Sequence, residues 1–97
     1  MKTAQATLKT ANGSKYLQQL CKHFGHKIDV EFTETVGKIT FPFGPVDLKA
    51  VEGSLWIQVT ASDDEGIVRA KDVVDRHLVR FAFREDLSVD WTTDETG

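Results

Sequence analysis

Residues 27–61 read KIDVEFTETVGKITFPFGPVDLKAVEGSLWIQVTA, and their alternation decides the fold. Ile28, Val30 and Phe32 alternate with Asp29, Glu31 and Thr33. Ile39, Phe41 and Phe43 fall together on the next run, then Val46, Leu48 and Ala50, then Leu55, Ile57, Val59 and Ala61. Period-two alternation marks strands with one buried and one wet face, the habit of antiparallel sheets. Gly37, Gly44-Pro45 and Gly53 punctuate the four strands as turns. Pro42 inside its run points to a sheet edge or a bulge, because proline has no N–H for the ladder.

Working outward, "TAQATLKT" (3–10) puts Ala4, Ala6 and Leu8 on one face and reads as a first strand. "NGS" breaks it, and Asn12 or Ser14 can cap a following helix. Tyr16, Leu17, Leu20, Cys21 and Phe24 make one helical apolar stripe, stopped by Gly25. Beyond the strands, Ser62 and Glu65 have capping-box spacing. Ile67, Ala70, Val73, Val74, His77, Leu78 and Phe81 share one face of a second helix ending at about Arg80 to Ala82. Burying each large apolar side chain there contributes roughly 1.5–3 kcal/mol before entropy. "LSVDW" (87–91) alternates as a last short strand, and 92–97 read as a disordered tail. The expected fold is α+β, a two-layer sandwich in the order β-α-β-β-β-β-α-β. Two helices pack on one face of a mostly antiparallel sheet.

The 97 residues fit one domain. The net charge of −3, without a basic stripe, argues against nucleic acid and anionic membrane surfaces. No apolar run approaches the roughly 20 residues of a membrane span, and "MKTAQATLKT" lacks a signal-peptide core. Cys21 is the only cysteine, so no intrachain disulfide can form and a reducing, cytoplasmic setting is expected.

The chemistry concentrates in "LCKHFGHK" (20–27). A left-handed Gly25 in a Schellman cap would bring Cys21 against His26. His23 flanks the same helix, and His77 could join them from the second helix. Cys21, His23, His26 and His77 are therefore the candidate metal or ligand set, suited to zinc or iron. The alternative is a basic helix end, in which Lys22, His23, His26 and Lys27 offset the partial negative charge of the last carbonyls. The spacing matches no specific metal motif, and capping carries the greater weight. A nucleophilic role for Cys21 is disfavoured, because it lies on the buried stripe near a helix C-terminus.

Other candidates are weaker. "SDDEG" (62–66) is explained by helix capping. Arg80 and Arg84 could contact an anion, against the plainer reading of a solvated charged edge. Trp56 should face away from the helices with Gln58, Lys38 and Lys49. That surface suits a partner or a homodimer, or else holds one tolerated aromatic covered by lysine stems.

"KYLQQLCKHFGHK", "GKITFPFG", "LWIQVTA" and "HLVRFAFREDLSVDW" together resemble a bacterial domain family of unknown function, from about Tyr16 to Trp91. The matching residues are Leu20, Cys21, His23, Phe24, His26, His77, Leu78, Arg80, Phe81 and Trp91. The resemblance implies an α+β fold. Some related chains carry the domain beside a siderophore-interacting flavin reductase, so it also implies a link to iron or siderophore handling and a reductase as partner. It implies no catalytic residue. The expectation is an accessory binding module. The alternatives are a docking module using the Trp56 face and an enzyme acting on a small substrate at the helix ends.

Overall fold

The structure, a computed structural model, describes residues 2–81 and 91–95. The elements are β1 (Lys2–Lys9), α1 (Gly13–Phe24), β2 (Val30–Phe32), β3 (Val36–Phe41), β4 (Gly44–Val51), β5 (Ser54–Ala61), α2 (Asp64–Phe81) and β6 (Thr92–Glu95). The sheet order is β2-β3-β4-β5-β1-β6, and every neighbouring pair is antiparallel. This is the expected α+β sandwich in the expected element order.

Register follows from the alternation. Val30, Ile39, Val46, Val59 and Ala4 sit opposite one another in turn across five strands. Gly37, Leu48, Ile57 and Ala6 form the next row, and Ala50, Leu55 and Leu8 a third. All lie on the helix side. α1 packs over β2 to β5 and α2 over β5 and β1. The layer between holds Leu17, Leu20, Ile67, Val74 and Leu78, each at most 3% exposed. A one-residue slip in any strand would turn its apolar set to water, so burial locks the register. Among the described residues, no helix is long and apolar enough to cross a membrane.

Several local expectations change. Pro42 lies neither in an edge strand nor in a bulge. Pro42 and Phe43 form the two-residue turn joining β3 to β4, with Phe41 opposite Gly44. Gly37 is not a turn but a buried residue of β3, because α1 approaches there too closely for a side chain. A Cβ on it would lie 2.9 Å from Cys21 Sγ and 3.2 Å from Leu17 Cδ2. Neither Asn12 nor Ser14 caps α1 by its side chain. Asn12 is the N-cap without that bond, and the Ser14 hydroxyl donates to the Glu34 carbonyl. α2 is capped by Asp63 rather than Ser62, its Oδ1 accepting from the Gly66 N–H at 2.8 Å.

The tail expected over 92–97 is in part a strand, since Thr92–Glu95 pair with β1. Main-chain hydrogen bonds hold this polar edge, so side-chain alternation does not announce it. Residues 87–90 of the expected last strand lie outside the described residues. Trp91 precedes β6, packs against the core, and donates its indole N–H to Asp75 Oδ1 at 3.0 Å.

Candidate functional site

Helix α1 buries Tyr16, Leu17, Leu20 and Cys21, as its stripe requires. Its end departs from the expected cap. Gly25 is right-handed, with φ −62° and ψ −14°. Its N–H donates to the Cys21 carbonyl at 2.8 Å, and the Lys27 and Ile28 N–H groups both donate to the Phe24 carbonyl at 3.0 Å. The chain tightens on through another turn instead of reversing, so no Schellman contact joins Cys21 to His26. His26 is exposed, while Cys21 is fully buried against Gly37.

Burial pushes the Cys21 thiol from its ordinary 9.0 up to about 11. A protonated, enclosed thiol is neither nucleophile nor ready metal ligand. Iodoacetamide is therefore expected to label Cys21 only in unfolded protein. At pH 8, the labelling rate measured by mass spectrometry should match the global opening rate seen by hydrogen exchange. Rapid labelling of the native state would put the thiol at the surface.

His23 and His77 do come together. Their ring centroids are 4.8 Å apart, and Phe24 lies 4.9 Å from His23 and 4.7 Å from His77. Phe24 also meets Phe41 edge-on at 4.9 Å, and Phe41 stacks on Phe43 at 4.9 Å and 11°. A chain of rings thus runs from the helix ends to the β3–β4 turn. His77 Nδ1 lies 2.7 Å from the Val73 carbonyl oxygen. That oxygen only accepts, so Nδ1 carries the proton. Partial burial lowers the pKa of His23 first, followed by the charges of His77, Lys27, Arg80 and His26, all basic.

Among the described residues, no group of three or more His, Cys, Asp or Glu side chains is placed to hold a metal ion. The expected quartet is thus not a gathered cluster. Cys21 faces the sheet, His23 faces α2, and only the His23–His77 pair converges. The acids of 62–66 act structurally, as expected. Besides the Asp63 cap, Asp64 pairs with Lys2 at 2.7 Å and Glu65 with Arg69 at 2.9 Å. Beside them, Pro42, Phe43, Arg69, Asp72 and Val73 line an open groove of about 490 Å³ at the far end of the ring chain. Arg80 is exposed, and Arg84 lies outside the described residues.

On the opposite sheet face, Trp56 lies between Thr7 and Lys49. Gln58 lies between Gln5 and Asp47, and Lys38 between Asp47 and Glu31. The four residues read as one surface therefore do share a face. Sequence reasoning missed Phe41 and Phe43 as part of the ring chain, and Gln5 as the partner of Trp56. Alternation identified the inward face of Phe41 but put Phe43 on the same strand face, where the structure has it in the turn, and it carried no sign of these partners.

The chain resembles the solved NMR structure of PA4090 from Pseudomonas aeruginosa, with 30% identity over 95% of this chain and 96% of that one, at a TM-score of 0.81. Among curated proteins, none matches the chain. Residues 5–92 match the family model described as an uncharacterized protein conserved in bacteria, DUF2218. With nearly its whole length matched, this chain belongs to that bacterial family.

Proposed function

We propose that the chain is a small binding module, not an enzyme, whose site is the His23–Phe24–His77 cluster. The observation that carries this reading is the mutual contact of the three rings at 4.7–4.9 Å across the junction of α1 and α2. The charges acting on His23 are all basic, which favours an anion. The rings favour a flat one. An aromatic carboxylate or a catecholate meets both demands. The implied link to iron or siderophore handling fits this class, because many iron chelators carry such groups. A flavin reductase, the partner that the resemblance implies, is what such a module would serve.

The test is a titration of the reduced protein with salicylate and catechol, followed in amide and imidazole NMR spectra. Saturable shifts are expected at His23, Phe24 and His77, weakened several-fold in Arg80→Ala and His77→Leu. With its pKa lowered, His23 gains its proton only below the ordinary 6.5. Affinity for salicylate, still an anion there, should therefore rise as pH falls through and below that value, because a bound anion favours the charged imidazole, whereas catechol, a neutral phenol at that pH, should not follow. Zinc and ferrous iron form a second arm, in which any shifts should stay at the two imidazoles and spare Cys21. No saturable shift at the helix ends with either aromatic would overturn the proposal.

A further inference from the structure

We propose that the free edge of β2 binds an extended basic segment of another protein as an added antiparallel strand. β2 is an edge strand, at the opposite end of the sheet from β6. Its ladder with β3 shows which way its main chain points. The Thr33 N–H donates to the Val36 carbonyl at 2.7 Å, and the Thr40 N–H donates to the Asp29 carbonyl at 3.0 Å. Hydrogen-bonded pairs alternate along antiparallel strands, so Asp29, Glu31 and Thr33 direct their main-chain groups to β3. Val30 and Phe32 then turn N–H and C=O outward. Among the described residues, none of those four groups has a partner. Such a row of outward groups is the template on which an arriving strand pairs.

Side chains select the occupant. Asp29 and Glu31 are exposed on the face away from the helices. With Val30, Lys38 and Thr40 they line an opening of about 320 Å³ along this edge. Lys38 stands opposite Glu31, but Asp29 faces Thr40 and meets no cation across the ladder. Among the described residues, neither acid has an ion-pair partner. In an added antiparallel strand, the residues opposite Asp29 and Glu31 fall in the closer, non-hydrogen-bonded pairs, with about 4.5 Å between Cα atoms. Lysine or arginine at those positions pairs with both acids. The residues opposite Val30 and Phe32 face the helix side, where Phe32 is 37% exposed and accepts an apolar neighbour. The fitting segment therefore alternates basic and apolar residues. A second copy of the chain does not fit. Two-fold pairing with Val30 opposite Phe32 sets Glu31 against its own copy, and like charges directly opposite are destabilising. The acids that bar self-pairing thus favour a basic strand.

The experiment is NMR titration of the full chain with a capped peptide alternating lysine and valine. Its controls alternate glutamate and valine, or carry N-methyl groups on the valines. Saturable shifts are expected at Val30, Glu31 and Phe32 with the lysine peptide, with slowed hydrogen exchange at the Val30 and Phe32 amides. Phe32→Pro removes an outward N–H and no ladder bond, so the fold should persist by its amide spectrum while peptide binding is lost. Asp29→Asn combined with Glu31→Gln should weaken binding several-fold and flatten its dependence on salt. Equal binding of the glutamate or the N-methyl peptide would overturn the assignment. So would binding that survives Phe32→Pro, or no saturable shift with the lysine peptide. Concentration-dependent protection of the same two amides without peptide would make a second copy the occupant and overturn it as well. Salicylate and catechol should leave those exchange rates unchanged, so either site can fail alone.

Discussion

Gly44→Ala is expected to lower the stability of the fold by about 3–6 kcal/mol, from combined backbone strain and overpacking. Gly44 opens β4 directly after the Pro42–Phe43 turn with φ at 144°, a region closed to side-chain-bearing residues. A Cβ there would stand 1.9 Å from the Thr60 carbonyl oxygen and 2.9 Å from its carbon. These are main-chain atoms of β5, fixed in the sheet, and cannot swing aside as the tip of a lysine could. A domain of this size has roughly 5–15 kcal/mol in total, so the change takes much of it. Gly53 is the control. Its φ is also positive, at 75°, but nothing lies within 4 Å of the added carbon. Gly53→Ala should therefore cost only about 1 kcal/mol. Urea denaturation of both variants checks the contrast, and equal midpoints would show that the β3–β4 turn is built differently.

Leu17→Ala should cost about 3–5 kcal/mol, in the upper part of the range for buried leucines. Leu17 is fully buried on α1 and its Cδ2 approaches the Gly37 backbone. The cost of such a change depends on how far the surroundings collapse into the cavity. Here one wall is a glycine, with no side chain to move inward. Adding a methyl at that wall tests the argument. Gly37→Ala alone should be destabilising by about 1–3 kcal/mol, because the new Cβ presses on Cys21 and Leu17. In the Leu17→Ala background the same methyl enters vacated space. The double variant should then be more stable than the sum of the singles predicts, by about 1 kcal/mol or more. Strict additivity in thermal and urea unfolding would mean that the helix and strand do not meet there. Cys21 enters the same argument as a packing residue of this contact.

The core-facing residues of β1, β3, β4, β5 and both helices were legible because periodicity is a local property. Leu55, Ile57, Val59 and Ala61 declare their face within eight residues of chain, whatever lies opposite. β6 was not legible, because "TTDE" is held by its main chain against β1 and its side chains carry no pattern. The α1 end was misread for a related reason. A glycine after an apolar stripe permits a left-handed cap without requiring one, and here a Cβ at Gly25 would also meet the Val30 side chain at 3.0 Å. What covers the residue, beyond its own sequence, helps to set its conformation.

Local pattern in the chain carries the α+β class, the order of the elements and the inward-facing residues of β1, β3, β4, β5 and both helices. Docking of the layers sets the rest: β1 lies between β5 and β6, Cys21 seals against Gly37, and His23 meets His77 instead of joining Cys21 and His26. The physical reason is range. Hydrophobic alternation and helix periodicity act between residues a few positions apart. The side-chain contacts that pattern could not foretell join residues about fifty positions apart, His23 with His77 and Gln5 with Trp56. Such contacts depend on how the layers dock, and the burial that drives docking is nearly blind to which polar groups it brings together.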